Sequence, residues 1–173
     1  MTDDVKLTET ILPTGECRAA VFGAATAGRW AYGSAPEGKN RSGGNFWFAG
    51  GVIYSYGRHF PVARHVRAVG GGPPFVLLTT RTHSVTTAKH VRAVTNACGR
   101  TAGTTVVFHV ADVLADGAAK HRENLTAIRA EVAALTELAR RAVTKGPIYL
   151  SRAADLTAAG NAYATMIGLP DRV

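Results

Sequence analysis

Residues 75–98, FVLLTTRTHSVTTAKHVRAVTNAC, change pattern twice. The apolar run 75–78 is short enough to be a buried strand. A polar elbow rich in hydroxyls follows, and from about residue 86 the positions Ala88, Val91, Val94 and Cys98 take up the spacing of one helix face. Strand, turn and helix in that order put a sheet before the first strong helix, and the flanking chain extends the same division.

Upstream, residues 46–56, FWFAGGVIYSY, read as a hairpin turning at Gly50-Gly51, because two glycines supply the positive φ angles of a two-residue turn. Trp47 then faces Tyr54 across the pair. Residues 59–69 predict a further strand, and Pro61 belongs at its start or on a sheet edge because proline cannot donate to a ladder. Residues 17–27, CRAAVFGAATA, fit a strand or a helix by composition, and Gly15, Gly23 and Gly28 favour the strand. Residues 33–44, GSAPEGKNRSGG, read as a flexible loop, and residues 1–13 as a loose tail or a first strand ending at Pro13.

Downstream, residues 104–111 predict one more strand. A long helix over about 118–145 follows, its face marked by Leu125, Ile128, Val132, Leu135, Ala139 and Ala142 and its end by Gly146-Pro147. A last helix over about 152–167 is capped by Ser151, with Leu156, Ala159, Tyr163 and Met166 inward. The expectation is one α+β domain over residues 1–173. Its antiparallel sheet comes mainly from residues 17–80 plus 104–111, with helices at about 86–98, 118–145 and 152–167 packed on it. The string HVRAV occurs at 65–69 in the predicted strand and at 90–94 in the predicted helix, but the flanks differ, so it marks no repeat.

Twenty Lys and Arg against twelve Asp and Glu give a formal charge of +8. Fifteen of the twenty are Arg, whose planar fork matches phosphate oxygens. That balance favours an acidic partner, DNA or RNA, although no run of consecutive basic residues concentrates it. Two cysteines far apart, Cys17 and Cys98, form neither a disulfide framework nor a zinc pattern and read as buried thiols in a reducing compartment. No secretory signal pattern and no apolar stretch of membrane-spanning length is present, so a soluble, intracellular protein is expected.

The elbow is where an anion fits best. A helix starting near Thr86 or Thr87 offers unpaired N–H groups and a positive dipole end, and Arg81, His83, Thr86, Thr87, Lys89, His90 and Arg92 surround it. The competing reading is structural: Thr86 or Thr87 as a cap, Lys89 solvated and His83 ending a strand. Six histidines raise catalysis and metal binding, but none stands in a known ligand spacing, and no metal or other cofactor is implied. No nucleotide-binding, serine-hydrolase or thiol-nucleophile motif is present. One catalytic alternative survives, phosphodiester cleavage by His59 and His83 from neighbouring strand ends.

Residues 51–57 (GVIYSYG), 59–63 (HFPVA), 77–81 (LLTTR) and 84–90 (SVTTAKH) resemble a family of small uncharacterised bacteriophage proteins. The resemblance spans about residues 45–98 and brings no established activity, so it assigns no catalytic residue. It implies a phage or prophage origin, expression in the cytoplasm of a bacterial host, and significance for the YSYG strand and the elbow. Together these readings point to a non-enzymatic, nucleic-acid-associated phage protein that binds phosphate at the elbow. The alternatives are a histidine-dependent nuclease or phosphodiesterase, and a virion or interaction protein that binds itself or a host protein.

Overall fold

The computed structural model describes residues 17–33, 37–39, 44–101 and 105–173. Among them, six strands form one sheet in sequence order: β1 (Glu37–Lys39), β2 (Phe46–Ala49), β3 (Val52–Ser55), β4 (Pro61–Arg67), β5 (Pro74–Thr79) and β6 (Val106–Val110). Helix α1 (Cys17–Ala31) precedes them, α2 (Val85–Arg100) connects β5 to β6, and α3 (Gly117–Arg141) and α4 (Gly146–Met166) follow. The fold is α+β, as expected, but the sheet is mixed. β1 to β5 pair antiparallel, whereas β6 runs parallel to β5 with Phe75 opposite Val106 and Thr79 opposite Val110. The reason is the connection: a helix crossing one face of a sheet returns the chain to the edge it left, so the next strand starts in the same direction.

β5 explains why the run at 75–78 shows no alternation. Val76 and Leu78 point into one core with Phe46, Phe48, Ile53 and, from α1 and α2, Trp30, Val94 and Ala97. Phe75 and Leu77 point into a second core with Phe108, Val110 and, from α3 and α4, Leu125, Ile128, Tyr163 and Ala164. Helices on both sides make every side chain from Phe75 to Thr79 a buried one. At β4 the register slips opposite β3: Ile53 pairs with Ala63 and Tyr54 with Pro61, so Val62 is an extra residue. Both Val62 and Ala63 therefore reach the first core. Past the bulge, Arg64 and Val66 lie on the side of Leu77 and Phe75.

Residues 17–31 correct the strand expected at 17–27. They form a helix whose glycines are not required for its packing: a Cβ added to Gly23 would meet the Ala93 Cβ of α2 at an ordinary 3.8 Å, and one added to Gly28 would meet nothing within 4 Å. Alanine then favours the helix. α1 is tied to the hairpin by Trp30, whose indole Nε1 donates to the Gly51 carbonyl (3.0 Å) and whose ring lies 4.2 Å from that of His65. Of the loop expected over 33–44, residues 34–36 and 40–43 lie outside the described residues, and Glu37–Lys39 is the edge strand. The tail expected at 1–13 also lies outside them.

The hairpin at Gly50-Gly51 forms as expected, with positive φ at both glycines (57° and 79°) and Trp47 opposite Tyr54. Gly146-Pro147 corrects a second expectation. α3 has already ended at Arg141, and proline occupies the first turn of α4, where its missing N–H costs nothing. Leu125, Ile128 and Leu135 are buried on α3 as expected, whereas on α4 Ala159 is exposed and Gly160 is inward.

Truncating the strand shared by both cores should be expensive. Leu77→Ala is expected to cost about 2–5 kcal/mol in urea unfolding, while Val106→Ala, at a side chain 44% exposed on the edge strand, should cost under about 1 kcal/mol.

Candidate nucleic-acid interface

The elbow begins where β5 leaves the sheet. Thr80 still donates its N–H to the Val110 carbonyl (3.0 Å), and the Thr79 hydroxyl accepts from the Arg81 N–H (3.1 Å). The helix cap is Ser84, not Thr86 or Thr87. Its hydroxyl accepts from the Thr87 N–H (3.2 Å), and Thr87 Oγ1 accepts in return from the Ser84 N–H (2.8 Å), a reciprocal capping box. Thr87 Oγ1 also takes the His83 N–H (3.1 Å) and donates to the Ser84 carbonyl (2.8 Å). Much of the hydroxyl cluster is thus occupied in starting the helix, which is what the structural reading of the elbow required.

His90, one turn further on, faces the sheet. Its ring stacks on Phe46 (4.3 Å, 10° between planes), and its Nδ1 lies 2.7 Å from the Ser55 hydroxyl. Burial holds its pKa below the ordinary histidine value. Of the residues expected to hold phosphate, Thr87 and His90 therefore lie in the interior, and Thr86 is half-buried in the first turn. Arg81, His83, Lys89 and Arg92 are exposed, the last two together on the outer face of α2.

Antiparallel pairing brings a second loop to the elbow. Because Tyr54 pairs with Pro61 and Ala63 with Leu78, the β3–β4 turn at 56–60 lies at the end of the sheet where β5 finishes. The His83 ring meets Phe60 edge-on at 4.9 Å. Arg58 and His59 are exposed in that turn, next to the elbow. Tyr56, the only described non-glycine residue with positive φ (63°), carries the chain round the corner.

The histidines separate into two groups. His65, His90 and His121 have pKa values lowered by burial. His65 Nε2 donates to the Trp30 carbonyl (3.2 Å). His121 Nδ1 is 2.5 Å from the Tyr163 hydroxyl, which also accepts from Asn124 Nδ2 (3.3 Å). Asn124 in turn holds the Asp112 backbone through both its amide atoms (2.8 Å each), so this network ties the loop after β6 to the helices. His59, His83 and His109 are exposed. Among the described residues, no three His, Cys, Asp or Glu side chains are grouped to hold a metal ion. Cys98 is buried, which pushes its thiol pKa up to about 11.

The electrostatic signal is one that a search for consecutive basic residues misses. Between Glu37 and Asp112 the sequence contains nine Lys or Arg and no Asp or Glu, while the rest of the chain sums to −1. On α3 the charges are largely matched, as in Lys120–Glu123 and the pair of Arg140 and Arg141 with Glu137. The missing carboxylates, and not a density of lysines, could have located this half of the molecule from sequence.

Two consequences are measurable. Ser84→Ala should lower stability by about 1 kcal/mol through loss of the cap. The three histidines with lowered pKa values bind protons more readily in the unfolded chain, so their contribution is complete above about pH 6.5 and declines as pH falls below it. The urea midpoint should therefore drop between about pH 7.5 and about pH 5.5, and His90→Gln should flatten that dependence.

No protein-family model, curated protein or solved structure matches the chain.

Proposed function

We propose that this protein is a non-enzymatic nucleic-acid-binding protein that contacts phosphates from the elbow and the outer face of α2, through Arg81, His83, Lys89 and Arg92. The observation that carries this reading is the carboxylate-free span from residue 38 to residue 111, in which these exposed cations meet no acidic neighbour in sequence. Such a surface attracts a polyanion and repels little of it. Arginine adds forked hydrogen bonds to phosphate. Thr86 N–H, in the first turn of α2, adds a donor at the positive end of the helix dipole. The resemblance of residues 45–98 to bacteriophage proteins supports a site of action in the cytoplasm of a bacterial host.

A second reading has one observation in its favour. His59 and His83 are both exposed on neighbouring loops, with Phe60 between them packed on the His83 ring. Two imidazoles on one edge suit acid–base cleavage of a phosphodiester.

Binding to a labelled oligonucleotide should weaken steeply between about 50 and about 200 mM salt. The combined Arg81→Ala, Lys89→Ala and Arg92→Ala variant should reduce the slope of log affinity against log salt by about 2 to 3. Absent or salt-insensitive binding to both DNA and RNA refutes the proposal. An oligonucleotide that stays intact on long incubation supports the binding role, and cleavage lost in His59→Ala/His83→Ala supports the nuclease.

A further inference from the structure

The two faces of the sheet are unequally covered. α1 and α2 cover one face from β2 to β5, through Phe46, Phe48, Ile53, Val76 and Leu78. α3 and α4 cover the other face only at its β4–β6 end, through Phe75, Leu77 and Phe108. Among the described residues, the second face of β2 and β3 belongs to neither core. It carries Trp47 and Tyr54, both part-exposed, with rings stacked at 4.5 Å and 20°. Arg58 reaches from the β3–β4 turn to lie 5.7 Å above the Trp47 ring.

A cross-strand aromatic pair by itself is ordinary hairpin packing. Here it stands on a sheet face that no described core covers, beneath a guanidinium and inside the carboxylate-free span, and Glu37 of the edge strand, opposite Ala49, is the acid that the register brings to this face. Charge complementarity selects a polyanion, and two π-faced side chains select one whose bases are free to stack. A duplex already stacks its bases on one another. We infer that this face is a stacking platform for single-stranded nucleic acid, with Trp47 and Tyr54 receiving bases and Arg58 linking the platform to the phosphate contacts at the elbow. The inference rests on the proposed function and adds to it the strand state of the partner.

Trp30 is buried and Trp47 part-exposed, so tryptophan emission reports on the platform. Titration with oligo(dT) of about 16 nucleotides should quench the emission, whereas a duplex of the same length and inorganic polyphosphate should leave it nearly unchanged. Trp47→Leu, which keeps the apolar pairing but removes the π-face, should abolish the quench and weaken oligo(dT) binding about tenfold, while Trp47→Phe retains most of the affinity. Arg58→Ala, at an exposed turn position, should weaken oligo(dT) more than duplex. Equal affinity for oligo(dT) and duplex, with no quench and no effect of Trp47→Leu or Arg58→Ala, overturns the platform but leaves phosphate binding intact. No binding to any nucleic acid removes both.

Discussion

The burial of β5 on both faces is the constraint from which the remaining architecture follows. Six residues, Pro74–Thr79, supply Val76 and Leu78 to one core and Phe75 and Leu77 to the other. A strand of this kind needs helices on both sides and a paired strand at each edge. The antiparallel meander provides β4 as one neighbour. The other, β6, is reached only by crossing a face, which fixes α2 as a connection on the α1 side. α3 and α4 then close the opposite face where Phe75 and Leu77 would otherwise meet water.

That arrangement also decides what the elbow can do. The chain leaves a buried strand at Thr79 and must begin a helix within a few residues, so Ser84 and Thr87 spend their hydroxyls on each other's backbone. Once α2 is set down on the sheet, its phase is determined by Val94, Ala97 and Cys98, and His90 on the same face is carried inward to Ser55 and Phe46. Lys89 and Arg92 are turned outward by the same phase. The division between structural and exposed cations is therefore a consequence of helix packing, and the phosphate-binding role proposed for the exposed ones begins where that packing stops.

Electrostatics and coverage run together in this molecule. The helices added after residue 111 bring both carboxylates and bases, several of them paired along α3. From β2 through α2 the chain brings bases alone. The half of the sheet face that neither described core reaches thus lies largely in the part of the chain without carboxylates, and the aromatic pair Trp47–Tyr54 stands on it.

Local pattern was sufficient for elements whose identity rests on their own residues. The β2–β3 turn follows from two adjacent glycines, β5 from a short apolar run, and α3 from apolar positions repeating at helical spacing. The exposure of Lys89 and Arg92 was equally legible, because charge on the outer phase of a predicted helix has nowhere else to go. Contacts distant in sequence decided the rest. α1 is fixed as a helix by the core into which it puts Ala27 and Trp30, and Gly146-Pro147 opens a helix because α3 had already ended. His90 is interior because Phe46 and Ser55, some forty positions earlier, form its pocket. The string HVRAV makes the point within one chain: residues 65–67 of the first copy lie in β4, and the second, 90–94, lies wholly in α2. Five identical residues carry one local preference, and which structure they adopt is set by the surfaces they are packed against.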